Sequence, residues 1–195
     1  MYREHLRLEK ELKDIQKEPA GIVDAHTVDG NIFTWRGYIK GPVQTPYEGG
    51  DFILNITIPQ DYPYNPPKIQ FETKIWHPNI SSETGVICLD ILKDEWSPAL
   101  TIRTALLSIQ ALLSAPEPDD PQDAEVANMY RRNYAEFERT AKLWTSTFAQ
   151  NHSETREGKI RTLIDMGIER EAAIKALTEN RWDMTVAVNR IIDQS

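Results

Sequence analysis

Three stretches of the chain carry apolar residues at helical spacing. The first ends before Pro19, the second is interrupted by SAPEPDDP, and the third follows that interruption. We interpret all three as amphipathic helices whose apolar stripes, aromatic residues included, pack into a core. The positions are Leu8, Leu12 and Ile15, then Ile102, Leu106, Ile109 and Leu113, then Tyr134, Phe137, Ala141, Trp144 and Phe148.

Alternation of apolar and polar residues predicts strands between the first and second helices. The strand-like runs are NIFTWRGYIK, DFILNITIP and KIQFET, and they are separated by the turn-rich segments GPVQTPYEGGD and DYPYNPP. In the first run, Phe33, Trp35 and Ile39 share one face. These features predict a meandering antiparallel sheet.

The distribution of proline divides the chain. All 12 prolines lie at or before Pro121, which predicts a turn-rich first half and a mainly helical second half. The polar segment AQNHSETREGK has no apolar periodicity and predicts a short flexible linker at residues 151–156. We therefore predict a first domain over residues 1–150 and a small domain of three short helices over residues 157–195.

Composition limits the classes of function. With 40% hydrophobic and 27% charged residues, the 195-residue chain is typical of soluble globular proteins, and it has no run long enough to span a membrane. The first residues lack the continuous apolar segment of a secretory signal, so we expect a chain that stays inside the cell. The net charge of −8 argues against duplex nucleic acid and favours protein partners.

A single cysteine, Cys88, stands within HPNISSETGVICLD. It can form neither an internal disulfide nor a cysteine-rich zinc site, so it is either a small buried hydrophobe or a nucleophile. The sequence HPN precedes it, Leu89 and Asp90 follow it, and WSP comes a few residues later.

These motifs, in this order, resemble the ubiquitin-conjugating enzyme family over about residues 1–150. The later sequences LIDMGI, AIKAL and NRWDMTVAVNRII resemble a ubiquitin-associated (UBA) domain. Together they are similar to the chain-building subgroup of conjugating enzymes. The resemblance implies an α/β (α+β) architecture: the UBC fold, a four-stranded antiparallel meander sheet flanked by helices, followed by a three-helix UBA bundle.

The resemblance implies that Cys88 accepts ubiquitin from the activating enzyme as a thioester and transfers it to lysine, building proteasome-targeting polyubiquitin. A thiol suits this task because it can both take up an acyl group and release it to an amine. The chain lacks the phosphate-binding sequence GxxxxGK[ST], so we expect no bound cofactor or metal and ATP consumption by the upstream activating enzyme.

Two further catalytic residues follow from the resemblance. Asn79 offers an amide that could stabilise negative charge on the thioester carbonyl oxygen, or it could tie down its own loop, and both roles can hold together. Asp120 matches the acidic position beside the cleft. Since carboxylates are poor bases toward an ammonium, we expect it to orient the incoming amine.

Five neighbours complete the predicted active site. His77 precedes a proline and fits a rigid turn better than proton transfer, which weakens a cysteine-protease interpretation. Asp90 and Asp119 have loop capping as their alternative role. Thr84 and Gln122 are expected to hydrogen-bond to acceptor ubiquitin.

Partner surfaces are also implied. The activating enzyme and RING- or HECT-type ligases are expected to dock on Arg7, Lys10, Tyr64, Ser97, Pro98 and Ala99, with a solvated helix face as the alternative for Arg7 and Lys10. The UBA residues expected to meet ubiquitin or polyubiquitin are Met166, Gly167, Ile168, Ile191 and Ile192. The alternative is that the small domain is only a stabilising appendage.

We expect a monomer in the cytoplasm and nucleus that binds neither nucleic acid nor membrane. Two other functions stay open: an inactive ubiquitin-binding adaptor of the same fold, and a carrier of another ubiquitin-like modifier. An intact Cys88, Asn79 and Asp120 argue against the first, and the UBA-like segment argues against the second.

Overall fold

The computed structural model describes residues 2–19 and 21–193, so Gln194 and Ser195 of the predicted small domain lie outside the described residues. A helix precedes a four-stranded antiparallel sheet in the order β1-β2-β3-β4, which confirms the predicted meander. Further helices follow, and the last three form the small bundle. The bounds are α1 (Tyr2–Lys17), β1 (Val23–Val28), β2 (Asn31–Lys40), β3 (Asp51–Thr57), β4 (Lys68–Phe71), α2 (Ile102–Ser114), α3 (Ala124–Arg132), α4 (Tyr134–Phe148), α5 (Arg156–Asp165), α6 (Arg170–Glu179) and α7 (Met184–Asp193).

The inner face of the sheet packs against α1 and α2. Alternate residues of β2 and β3, such as Trp35 and Leu54, are fully or almost fully buried there. Gly37 lies in the same row, and a Cβ at that position would lie 3.2 Å from a methyl carbon of Leu106 on α2. The glycine therefore allows α2 to approach the sheet closely.

The aromatic stripe of α4 is only partly core, contrary to our interpretation. Phe137 and Ala141, in the middle of the stripe, are buried in the main cluster. Tyr134 and Phe148, at the two ends of the helix, are exposed. Their rings pack edge-on against neighbouring aromatic residues and leave one side open to solvent.

The described residues form two hydrophobic clusters. The larger includes buried residues from Leu8 to Ala149, and the smaller lies among α5, α6 and α7. The segment between them is the one for which we predicted a flexible linker. It contains a short 3-10 helix (His152–Glu154), and the Asn151 amide donates to the Asp51 carbonyl at 3.0 Å and to Thr73 Oγ1 at 3.1 Å. Part of this polar segment therefore contacts the sheet, while Ser153 is exposed.

The small bundle docks on the edge strand β1 and on α1, where Arg181 donates to Glu9 at 2.7 Å. Arg156 forms a two-point ion pair with Asp24 of β1, with distances of 2.7 and 2.9 Å. The carboxylate of Asp183, which is almost fully buried, accepts from the backbone amide of Gly30 at 2.9 Å. Both anchors belong to the end of the bundle opposite residues 166–168. Among the described residues, no helix has the length and apolarity needed to cross a bilayer.

Candidate active site

The loop that carries the thiol is fixed from beneath by His77, which is fully buried. Its Nδ1 accepts from the Asn79 amide at 3.0 Å, so Nε2 carries the proton and donates to the Leu112 carbonyl at 2.9 Å. Burial lowers the pKa of His77 to about 4. The ring is therefore neutral near pH 7, and both of its nitrogens are already bonded, as expected for a structural residue.

Asn79 ties two loops together. Its Nδ2 donates to the carbonyls of Glu117 and Asp120, both at 2.9 Å, and its Oδ1 accepts from the Glu117 amide at 2.8 Å. Its own carbonyl accepts from the Cys88 amide at 2.8 Å. The loop-tying role is thus visible in the geometry. An oxyanion role requires one of the two Nδ2 bonds to be exchanged for the substrate oxygen.

Cys88 is half-buried beside a small cavity of about 120 Å³ that Asn79 and Asp120 also line. The thiol donates to Asp120 Oδ2 at 3.8 Å, and Lys93 Nζ lies 3.6 Å from the sulfur on a different segment. The thiol therefore lies between a carboxylate and an ammonium. The sequence did not indicate Lys93, because only the 3-10 turn at Asp90–Leu92 returns it toward the sulfur.

A glycine shapes the approach to the thiol. Gly85 has a φ of 76°, and a Cβ there would lie 2.0 Å from the Phe71 carbonyl oxygen. Its own carbonyl accepts from the Phe71 amide at 2.9 Å, which holds the loop against β4. Only glycine fits this contact, so the direction in which the chain reaches Cys88 depends on it.

The two flanking carboxylates, Asp90 and Asp119, have local partners. Asp90 Oδ1 accepts from the Ile91 amide at 2.7 Å, and its carbonyl accepts from the Lys93 amide at 2.9 Å. Asp119 pairs with Arg131 at 3.4 Å, and Arg131 also donates to the Pro118 carbonyl. These contacts match the loop-capping alternative for both residues.

Thr84 and Gln122 are both exposed. The two segments that carry them are joined by hydrogen bonds between Asp123 and Ser82. Asp123 Oδ2 accepts from the Ser82 amide at 2.9 Å and from its hydroxyl at 2.6 Å, and Asp123 also caps α3. Sequence reasoning missed this carboxylate, although an aspartate before a helical run is an N-cap signal. Thr84 and Gln122, the two residues predicted to contact acceptor ubiquitin, therefore lie on neighbouring segments next to Cys88.

The predicted partner surface forms around α1. Arg7 donates to the carbonyls of Pro98 and Leu100 at 2.8 and 2.9 Å, so it holds the Ser97–Ala99 loop in place. Tyr64 is 76% exposed, and Lys10, Ser97, Pro98 and Ala99 are exposed too. Arg7 is therefore used for hydrogen bonds within the chain, whereas the five exposed residues are available to a partner.

A buried carboxylate that the sequence did not indicate supports this surface. Glu11 accepts from the Tyr62 hydroxyl at 2.6 Å and from the Ile102 amide, the first of α2, at 2.9 Å. Burial and this bond raise the pKa of Tyr62. Glu11 therefore joins α1, the proline-rich loop and α2.

The predicted UBA residues divide into two sets. Met166 and Ile192 are 57% and 63% exposed, and Gly167, with a φ of 89°, forms the turn after α5. Ile168 and Ile191 are half-buried and pack against the core of the bundle. Met166 and Ile192 are thus available to a partner, whereas Ile168 and Ile191 are partly used within the bundle.

In the described part of the chain, no cluster of three or more histidine, cysteine, aspartate or glutamate side chains could hold a metal ion.

Comparison with known proteins gives matches over nearly the whole chain. The family model described as ubiquitin-conjugating enzyme matches residues 7–145. Ubiquitin-conjugating enzyme E2 27 of Arabidopsis thaliana is 51% identical over 187 residues, 95% of this chain and 96% of that protein. Ubiquitin-conjugating enzyme E2 K of Homo sapiens is 50% identical over 191 residues, with the same coverage. The solved E2 domain of a Toxoplasma gondii ubiquitin conjugating enzyme is 67% identical, covers 75% of this chain and 99% of its own, and has a TM-score of 0.73.

Proposed function

The chain belongs to the ubiquitin-conjugating enzyme family, and on this premise we propose that Cys88 carries ubiquitin as a thioester and that the small bundle directs the assembly of polyubiquitin chains. One observation carries the first part. The sulfur of the half-buried Cys88 lies 3.8 Å from Asp120, on a segment that Asn79 holds in place.

The charging step transfers an acyl group between two sulfurs. The Cys88 thiolate attacks the ubiquitin carbonyl held on the activating enzyme, a new C–S bond forms, and the activating enzyme's thiolate leaves. ATP is consumed upstream, so this chain supplies no cofactor to the step. The exposed residues around α1, together with Tyr64 and the 97–99 loop, offer the surface for the activating enzyme and for RING- or HECT-type ligases.

The discharge step is aminolysis. A neutral lysine amine attacks the thioester carbonyl, an isopeptide bond forms, the Cys88 thiolate leaves, and the extra proton on nitrogen passes to solvent. Asp120 orients the amine, and Asn79 stabilises the oxyanion once one of its Nδ2 hydrogens turns from a backbone carbonyl to the substrate oxygen. The positive charge of Lys93, 3.6 Å from the sulfur, favours departure of the thiolate.

The small bundle supplies the chain-building part of the proposal. Its docked end faces the sheet, and the exposed Met166 and Ile192 lie at its other end, where an acceptor ubiquitin can bind. A binder held at a fixed place raises the local concentration of acceptor chains. The products would be proteasome-targeting chains made in the cytoplasm and nucleus.

Charge-bearing substitutions on the exposed end test this role. Met166→Arg and Ile192→Arg should leave thioester formation on Cys88 intact and shorten the chains formed in a timed reaction. Ile174→Arg is the matched control, because it places the same side chain at another partly exposed apolar position of the bundle. Equal chain lengths for all three variants would exclude a ubiquitin-binding role for Met166 and Ile192.

A further inference from the structure

A buried lysine crosses the interface between the small bundle and the sheet. Lys159 of α5 is 3% exposed, and its Nζ donates to the Trp182 carbonyl at 2.8 Å inside the bundle. The same Nζ lies 2.9 Å from Nδ1 of His26, a half-buried residue of β1. Within residues 2–19 and 21–193, no carboxylate lies within 4.0 Å of this ammonium. His26 is thus the acceptor that the sheet provides for a charge carried by the bundle.

The contact requires a neutral histidine. An ammonium has three donors and no acceptor, so His26 can receive its hydrogen bond only through an unprotonated ring nitrogen. A proton on Nδ1 removes that acceptor and places two positive charges 2.9 Å apart across the interface. Protonation of His26 therefore opposes docking in two ways.

Charged groups lie on the elements packed around this contact. Arg36, which lies opposite His26 in the register of β1 and β2, adds a further positive charge. In the described part of the chain no carboxylate lies within 4.0 Å of the His26 ring, so a proton there gains no ion pair. The surrounding groups comprise Asp24 on β1, Arg36 on β2, Glu154 on the 3-10 helix, Arg156 on α5, Asp183 before α7, and the pair of Arg181 with Glu9 of α1.

The direction of the effect follows from the two states of His26. In the docked state, burial and the charges of Lys159 and Arg36 lower its pKa to about 3 from 6.5. Release of the bundle exposes β1 and returns the ring toward its ordinary pKa. Because the docked pKa is the lower one, docking is strongest above pH 6.5 and weakens as pH falls below it. From about pH 7.5 to about pH 5.5, the ratio of docked to released bundle falls about tenfold.

We propose that the contact between Lys159 and His26 is a pH-sensitive switch in which protonation of His26 lowers the population of the docked bundle. A released bundle keeps its own hydrophobic cluster, so the switch changes the position of the bundle and leaves its fold intact. His152, on the segment before α5, acts in the opposite direction, because its protonation strengthens its contact with Asp51. The switch requires docking alone and is independent of whether the bundle binds ubiquitin.

Hydrogen exchange of the Gly30 amide measures docking in the full-length protein, because this amide donates to Asp183 of the bundle at 2.9 Å. Its protection factor, from which the intrinsic pH dependence of exchange is divided out, should fall about tenfold in wild type from about pH 7.5 to about pH 5.5. His26→Gln keeps a neutral acceptor for Lys159 and should show no fall. His152→Gln, the matched control, should keep a fall at least as large as that of wild type.

Two results would overturn the proposal. A protection factor of Gly30 that stays constant in wild type over this range would show that docking does not respond to pH. A fall that persists in His26→Gln would place the sensor elsewhere. If His26→Gln leaves the Gly30 amide unprotected at every pH, the ring signals of His26 in wild-type NMR spectra decide: titration well below pH 6.5 supports the switch, and titration near pH 6.5 contradicts it.

Discussion

Replacing Arg156 with alanine should weaken the docking of the small bundle on the sheet. Its guanidinium bonds both oxygens of Asp24, donates to the Glu18 carbonyl at 2.9 Å and lies 5.0 Å from the centre of the Trp182 ring. The side chains of Arg156 and Asp24 are only 11% and 13% exposed. One residue thus connects β1, the end of α1 and the turn before α7.

The magnitude follows from the burial of the pair. Removing one partner of a fully buried ion pair costs about 3–5 kcal/mol, whereas an exposed pair contributes at most about 1 kcal/mol. Because both side chains are mostly buried, we expect Arg156→Ala to weaken docking by about 2 kcal/mol. The ratio of docked to released bundle should then fall about 30-fold.

NMR relaxation of backbone amides measures this ratio, because a released bundle tumbles faster than the sheet. Arg156→Ala and Asp24→Ala should each shorten the correlation time of α5 to α7 while leaving β1 to β4 unchanged. Arg170→Ala, which removes an exposed ion pair with Glu157 inside the bundle, is the control and should have no effect.

A double-mutant cycle completes the test. The variant lacking both Arg156 and Asp24 should be little worse than either single variant, because the two side chains act as one unit. If the docked fraction of the bundle were unchanged in both single variants, the ion pair would not contribute to docking and this reasoning would be refuted.

Three further predictions concern stability. Asn79→Ala removes three hydrogen bonds between two loops and should lower the free energy of unfolding in urea by about 2 kcal/mol; an unchanged midpoint would contradict the loop-tying role. Burial lowers the pKa of Lys159 to about 8 from 10.5, so the native state releases this proton first. Stability should therefore rise between pH 8 and 10.5 by up to about 3 kcal/mol, and urea titrations should show a flatter rise for Lys159→Met. Burial, followed by the nearby charge of Lys159, lowers the pKa of His26 to about 3 from 6.5. The stability that the folded state gains from a neutral His26 should therefore be lost as pH falls below 6.5. His26→Gln should reduce this loss of stability at low pH. Identical plots of unfolding free energy against pH for wild type and variant would exclude a role of His26 in it.

Helices and strands with large buried side chains could be predicted from the sequence. The fully or almost fully buried Trp35 and Phe52 mark β2 and β3 through their alternation. β1 was missed because its buried positions hold Ala25 and Thr27, which give almost no hydrophobic signal. Helix α3 was missed for a similar reason, because its only buried residues are Val126 and Ala127.

For the candidate site, the family motifs were sufficient to predict that Cys88, Asn79 and Asp120 lie together. Glu11 and Lys93 could not be predicted, because their partners lie on other elements or across a turn. The contacts of residues 151–156 with the sheet could not be predicted, because polar side chains are equally compatible with solvent exposure and with anchoring contacts. The polar side chains of Arg156 and Asn151 bond to the sheet.

Transfer through Cys88 is tested most directly by a non-reducing gel of the protein mixed with activating enzyme, ATP and ubiquitin, beside Cys88→Ser. Wild type should form an adduct with one ubiquitin that disappears on thiol treatment, and the variant should form a thiol-resistant ester or no adduct. A wild-type protein that stays unmodified while a control conjugating enzyme is charged would contradict the proposed thioester, and would favour an adaptor or a carrier of another modifier.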